Sequence, residues 1–338
     1  MSASSGLAVR SSAIVLAGSR RLAAKAVQII LPLALVSACA TPLAPAADGG
    51  GLPEKPDLVV GAVPAESAAA LYIAQERGIF AAHGLHVKIE AVTSTSDIIP
   101  DMLHGTIDVA SGQFPGYIAA QAAGTASFHV LAAGLSSSPG VNEIVALRSS
   151  GIGGVTTLRG RTIGVNALAG DGPLLVDSLL ATYGVRPAQV RFRELPFPAM
   201  GAALAAHQID AAYCTEPYCT EMEQRYGARV VADTDQGEAR NLPIAGYTVT
   251  TAWLKKYPRT AAAFAASIVA GSLAADSDLS VLQHALVANL RLTPQVANVA
   301  ATGSFPTTVI PAELQQVADL MLQFGELRHY FNVRAMTG

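Results

Sequence analysis

The sequence predicts an α/β protein of two lobes, each a mostly parallel sheet flanked by helices, with a cleft between them. Three observations carry that expectation. Short apolar strands alternate with helical stretches over 58–231, the pattern of a sheet covered on both faces. The alternation breaks twice into polar, flexible stretches, near 148–155 and 233–243. Beyond Thr250 the pattern is helical, with no strands left to pair, so those helices pack most simply back on the first lobe and the chain crosses between lobes twice. The division expected is 57–147 plus 244–338 for lobe 1 and 148–243, with both crossings, for lobe 2.

The first strand, 58–63, is a continuous apolar run suited to burial on both faces. Pro64 ends it, and Ser67 is placed to cap the helix that follows, where Ala68, Leu71, Tyr72 and Gln75 share a side and Gly78 supplies a left-handed stop. Gly84 turns the chain into a strand in which Val87 and Ile89 alternate with His86, Lys88 and Glu90, completing one β-α-β unit. A polar loop at 93–96, a helix ending near Gly105, a strand at 108–111, a helix at 117–123 and strands at 128–133 and 143–147 follow. The second round begins at 158–165 and runs through a glycine-rich loop, a helix at 174–183 closed by Gly184 and a strand at 190–195. It ends with a helix at 200–207, a strand at 210–213, a helix at 216–226 and a strand at 229–231. A strand at 247–250 precedes helices at 253–257, 259–275, 279–290, 294–300 and 311–325.

The N-terminus carries a different message. Arg10, Arg20, Arg21 and Lys25 precede the apolar run AVQIILPLALVSACA, and no acidic residue comes before Asp48. The run is shorter than the ~20 residues of a membrane-spanning helix and Pro32 interrupts it, so residues 1–38 read as an export signal. Val36-Ser37-Ala38-Cys39 resembles the bacterial lipobox, in which the cysteine is lipid-modified and becomes the first mature residue. The alternative is an ordinary signal peptide with an incidental Cys39. Residues 19–25 match the twin-arginine export motif only in part, with Ala23 and Ala24 in place of its bulky pair. Residues 39–56, rich in Ala, Pro and Gly, form a flexible tether.

Composition bounds the rest. With 51% hydrophobic and 14% charged residues the chain is a folded protein. Loss of residues 1–38 leaves 18 basic against 25 acidic residues, a net charge of −7, which disfavours nucleic acid and anionic lipid as partners. Cys214 and Cys219 remain in the body; in an oxidising compartment they can pair, and otherwise they are two small buried hydrophobes. Their spacing lacks a second ligand pair, so no metal site is expected.

The stretch LYIAQERGIFAAHGLHVKIE, 71–90, resembles the first helix and second strand of the periplasmic substrate-binding proteins of ABC importers, in the branch that handles nitrate, aliphatic sulfonates, taurine and thiamine-type pyrimidines. LRGRTIGV at 158–165, the Gly184-Val185 turn and DAAYCTEPY at 210–218 agree with it. The resemblance covers roughly 57–257. It implies the two-lobed type II fold of periplasmic binding proteins, hinge closure on a small molecule, delivery to a permease in the membrane, no catalysis and no cofactor. With the lipobox, it implies an extracytoplasmic monomer anchored to the membrane through a lipid on Cys39.

Ligands of an open parallel sheet sit where loops leave the carboxyl ends of the strands. That rule nominates Glu66 and Ser67, Ser94, Gln113 and Phe114, Asn166 and Asp171, and Tyr213, Glu216 and Tyr218. Glu66 and Ser67 either meet a ligand or form a first-turn acid and a cap. Gln113 and Phe114 suit a planar ligand, or Phe114 belongs to the core. Asn166 opens a glycine loop whose N–H groups can approach an anion, as in phosphate and sulfonate sites, though it lacks the Gly-Lys-Ser/Thr ending of a P-loop and Asp171 would compete with an anion there; Asp171 is either a ligand contact or a cap. Glu216, placed at a loop-to-helix corner by Pro217, can accept from amine or ring N–H donors, while Tyr213 and Tyr218 can stack on a flat ring. No Lys or Arg falls in these loops, and Arg148 and Arg240 near the crossings are the cations within reach. The balance favours an amine-bearing or heterocyclic ligand, similar to a thiamine pyrimidine, over sulfonate, nitrate or taurine. Two other readings share this fold: a pyrimidine-synthesis enzyme, against which the export signal speaks, and a ligand-sensing lobe.

Overall fold

The computed structural model describes residues 51–337. The export signal, Cys39 with its lipobox and the first part of the tether lie outside the described residues.

Lobe 1 opens with β1 (Asp57–Ala62), a 3-10 turn at Glu66–Ala68 and α1 (Ala69–Glu76). Gly78, at φ 67°, provides the left-handed step into the short α2 (Ile79–Ala82). Then come β2 (His86–Ala91), α3 (Thr95–His104), β3 (Val109–Gln113), α4 (Phe114–Ala122) and β4 (Phe128–Ser136). After the crossing strand β5 (Asn142–Leu147), the second round is β6 (Thr162–Val165), α5 (Asp171–Thr182), β7 (Arg191–Glu194), α6 (Phe197–Ala205), β8 (Ala211–Thr215), α7 (Tyr218–Tyr226) and β9 (Ala228–Asp233). The chain closes with β10 (Pro243–Thr250), α8 (Thr251–Lys256), α9 (Pro258–Ser277), α10 (Leu279–Leu290), α11 (Pro294–Val299), α12 (Pro311–Gln323) and α13 (Arg334–Thr337).

Two five-stranded sheets result, in the orders β2-β1-β3-β10-β4 and β7-β6-β8-β5-β9. They share one plan. In each, the first strand of the round pairs in parallel with the second and third, and the strand delivered by an interlobe crossing lies antiparallel in fourth place. The plan repeats at residue level. Asp108 precedes β3 and accepts from Val59 N–H at 3.0 Å, while Asp210 precedes β8 and accepts from Thr162 N–H at 2.8 Å. Asp108 also receives Lys55 and the Trp253 indole N–H, the latter at 2.9 Å, so a buried charge is held by three donors.

The topology moves one boundary. The strand 143–147 was expected in lobe 1 with a crossing at 148–155, but β5 pairs with β8 and β9 of the second sheet. The first crossing therefore runs from Ser137 to Val141, ahead of β5, and the flexible 149–154 stretch is an ordinary lobe 2 loop. An apolar strand carries no mark of which sheet it joins. The chain returns to the first sheet between Asp233 and Pro243.

The closing helices cover lobe 1: α9 and α10 pack on α1, α12 on α4 and α13 on β4. Contact between α1 and α9 is close enough that a Cβ added to Gly271 would overlap the Ala70 carbonyl oxygen. Residues of α11 and α12 also reach lobe 2, against α7 and α5.

Candidate functional site

Loops at the carboxyl ends of both sheets converge between the lobes. Lobe 1 contributes 64–66 after β1 and the start of α4 after β3; lobe 2 contributes 166–171 after β6 and 216–218 after β8. They touch directly. Asn166 Nδ2 donates to Gln113 Oε1 at 3.2 Å, and the Tyr218 hydroxyl donates to the Pro64 carbonyl at 2.8 Å. The backbone approaches closely here: a Cβ on Gly170 would come within 2.9 Å of Gln113 Oε1.

Three carboxyl groups are buried at this junction. Glu66 is 1%, Asp171 3% and Glu216 4% exposed. Burial drives Glu66 up to about 8, and the neighbouring Glu216 carboxyl pushes in the same direction, against one backbone N–H from Gly303. Burial lifts Glu216 to about 7 despite the hydroxyl and N–H of Thr220, at 2.8 and 3.1 Å, and the N–H of Ala301. Asp171 also rises to about 7 by burial, opposed by hydrogen bonds from Tyr213, from Gln113 and from backbone N–H groups. Half-buried Glu143, on β5 beside this group, reaches about 8 through burial and the charges of Glu216, Glu223 and Asp233. Among the described residues no Lys, Arg or His is paired with Glu66, Asp171 or Glu216. Glu66 Oε2, Asp171 Oδ1 and Asn166 Oδ1 are buried with no hydrogen-bond partner. The junction therefore gathers buried carboxyl and amide oxygens that lack hydrogen-bond partners.

Of the residues nominated from sequence, Glu66, Gln113, Asn166, Asp171, Tyr213, Glu216 and Tyr218 come together here. Tyr213, fully buried, has its hydroxyl 3.1 Å from both Asn142 Oδ1 and Asp171 Oδ2. Tyr218 stacks on Phe197 with ring centroids 5.5 Å apart. Asp171 is not a helix cap; Gly170 holds that position and the carboxyl turns inward. Ser67 does not cap either, since the turn starts after Ala65 and α1 after Ala68, neither with a side-chain cap. Ser94 is the buried cap of α3, bonded to Asp97, while its neighbour Thr95 accepts from the Gln113 N–H at 2.8 Å. Phe114 lies in the core against Gly246 and walls a cavity of about 20 Å3, room for one water. The corner at Glu216-Pro217 precedes α7, which starts at Tyr218, because a residue before proline is disfavoured in helix. Arg148 and Arg240 are exposed and take no part.

Cys214 and Cys219 form a disulfide with Cα atoms 5.4 Å apart, closing a loop around Glu216. Two participants carried no sequence signal: Asn142, which accepts from Tyr213, and the backbone of Gly303, which lies 237 residues from the acid it meets. The one Ser–His contact among the described residues, Ser267 Oγ to His83 Nδ1 at 3.2 Å, lies away from the cleft, and Ser267 donates to Ala263 O at 2.8 Å as a helix side chain does. It forms no activated nucleophile.

Residues 66–277 match the family described as NMT1/THI5 like. No curated protein matches the chain at a significant level. Several solved structures share its fold. The alkanesulfonate-binding protein SsuA of Xanthomonas axonopodis pv. citri, bound to MOPS, superposes with a TM-score of 0.73 at 18% identity, covering 85% of this chain and 99% of its own. The periplasmic nitrate-binding protein NrtA of Synechocystis PCC 6803 gives 0.74 at 14% identity, over 84% and 86%. A zinc-bound ligand-binding component of an ABC-type import system from Staphylococcus aureus gives 0.73 at 16%, over 84% and 97%.

Proposed function

Because the chain belongs to the NMT1/THI5-like family, we propose that it is an extracytoplasmic solute-binding protein that closes its lobes on a small molecule and delivers it to an ABC permease. The solute is amine-bearing or a nitrogen heterocycle, held by N–H donation to acidic groups of both lobes. A lipid on Cys39 tethers the body beside its permease.

One observation supports the choice of solute above the rest: Glu66, Asp171 and Glu216 are buried together, from both lobes, without a cationic partner among the described residues. Burying carboxyl groups costs free energy unless donors compensate. Direct contacts such as Tyr218 to Pro64 close the junction, so a solute enters only when the lobes part. Tyr218, Asn166 and Gln113 then exchange their cross-lobe partners for the solute. An anion would meet Asp171 at the start of α5, where a helix would otherwise favour it.

The test is a thermal-shift screen of the purified protein against aminopyrimidines, primary amines, sulfonates and nitrate. A solute that binds only the folded state raises the melting temperature by mass action. Aminopyrimidines or amines are expected to do so. A shift confined to sulfonates or nitrate reverses the assignment of the solute while leaving capture intact.

A further inference from the structure

We propose that the base of lobe 2, the end of its sheet opposite the cleft, is a face for anionic phospholipid headgroups, carried by Arg159, Arg161, Arg186, Arg191 and Arg193. The net charge of −7 disfavours such a surface for the molecule as a whole, but the charges of lobe 2 are segregated. Between Asn142 and Asp233 it has eight arginines and no lysine. Five of its carboxyls stand at the cleft end of the strands: Glu143 at the start of β5, Asp171 after β6, Glu194 at the end of β7, Glu216 after β8 and Asp233 at the end of β9. The arginines of the proposed face stand at the other end. Arg159 and Arg161 precede β6, Arg186 and Arg191 lead into β7, and Arg193 reaches back to the Gln208 carbonyl, ahead of β8, at 3.0 Å. Asp210 pairs with Arg161 at 3.2 Å; among the described residues the other four arginines pair with no carboxyl.

Hydrogen bonds stitch these segments into one surface. The Arg191 N–H donates to the Arg161 carbonyl at 2.9 Å, and its guanidinium donates to the Gly160 carbonyl at 2.8 Å. The Arg159 guanidinium donates to the Thr156 and Gly184 carbonyls at 3.5 and 3.2 Å, which brings in the turn that carries Arg186. Carbonyl partners fix a guanidinium without cancelling its charge, and each leaves most of its five N–H groups to other acceptors. Arg159, Arg186, Arg191 and Arg193 are all exposed. Their planar forks suit the paired oxygens of a phosphate better than a lysine does. Charges on an edge strand keep other strands away, which accounts for Arg191 and Arg193 on β7 but not for Arg159 and Arg186 in loops. The occupant is a lipid surface because the proposed tether holds the body beside one: Cys39 to Gly50 is twelve residues, up to about 40 Å of extended chain. At that range a weak attraction is enough to seat a face.

The lipid face rests on the membrane-tethered part of the proposed function. It is tested by co-sedimentation of the mature chain, residues 39–338 with Cys39→Ser so that no lipid assists. The vesicles are phosphatidylcholine alone, or phosphatidylcholine mixed equally with phosphatidylglycerol. The protein should sediment with the anionic vesicles only, and added salt should release it, since exposed charges are screened beyond about 10 Å at about 0.1 M. Each arginine removed should weaken binding about five-fold. Arg186→Gln, Arg191→Gln and Arg193→Gln together should therefore weaken it on the order of a hundred-fold. Lys255→Gln with Lys256→Gln, on exposed positions of α8 in lobe 1, should leave it unchanged. If the triple variant does not fold, Arg186→Gln alone decides, because that side chain is exposed in a loop. Undiminished binding in these arginine variants, or loss in the lysine variant instead, overturns the lipid face. Sedimentation with neither vesicle also overturns it and leaves the arginines to an acidic protein surface. A lipid on Cys39 is read separately, from the mass of the exported wild type: its absence would remove the tether from the proposed function, while the vesicles would still decide the face.

Discussion

Tyr213 concentrates the chemistry of the junction in one hydroxyl. It lies 3.1 Å from an amide oxygen and from a carboxyl oxygen, and its single proton serves only one of them. A protonated Asp171, raised to about 7 by burial, can donate back and satisfy the pair. Tyr213→Phe therefore strands Asn142 and Asp171 together, and a loss of about 1–3 kcal/mol is expected in denaturant unfolding. A wild-type midpoint would mean that Asn142 and Asp171 find other partners. Side chains of this kind were legible in part. Glu216 and Tyr213 stood out because polar groups at strand ends in an apolar chain have few structural reasons to be there. Ser94 looked identical by that test and is a cap, since capping and ligand binding both place a hydroxyl ahead of a helix. Donors supplied by the backbone, as at Gly303, leave no residue type to notice.

At the scale of elements, strand and helix order could be read from alternation and glycine stops, whereas sheet membership could not. β5 shows why: its residues are as apolar as those of β4, and pairing is decided by which edge the crossing reaches. The crossing is short because Ser137 and Asn142 close it with a side-chain hydrogen bond of 3.0 Å. Packing between helices makes a sharper prediction. Gly271 on α9 faces the Ala70 carbonyl of α1 without room for a methyl group, so Gly271→Ala should destabilise by about 1–3 kcal/mol despite alanine's better helix propensity. A stabilised variant would show that the two helices can slide apart. The disulfide loop from Cys214 to Cys219 acts on the corner bearing Glu216. Replacing both cysteines by serine should cost about 2 kcal/mol through the freed unfolded chain and weaken solute binding, read by titration calorimetry; unchanged affinity would leave the loop a purely structural clip.

Across the whole molecule the acidic groups set the response to pH. Glu66, Glu143 and Glu326 are raised from 4.5 to about 8, Glu216 from 4.5 to about 7, and Asp171 and Asp177 from 3.8 to about 7, in every case chiefly by burial. Between the ordinary and the raised values the folded chain holds more protons than the unfolded one, so stability falls as pH rises through that window. At pH 8 the unfolded carboxylates are ionised and solvated, and folding must either take up protons or bury charge. At pH 5 most of that cost is gone. The melting temperature should accordingly climb as pH is lowered from about 8 to about 5, against the opposing pull of His129, whose pKa burial lowers. Glu66→Gln should flatten this slope, because it removes one titrating group while keeping an oxygen for the Gly303 N–H. The variant should therefore melt above the wild type at pH 8 and alongside it at pH 5. Calorimetric melts across the range check both statements: a wild-type melting temperature that falls on acidification, or a variant with the wild-type slope, would mean that these carboxyls keep water around them in the folded protein.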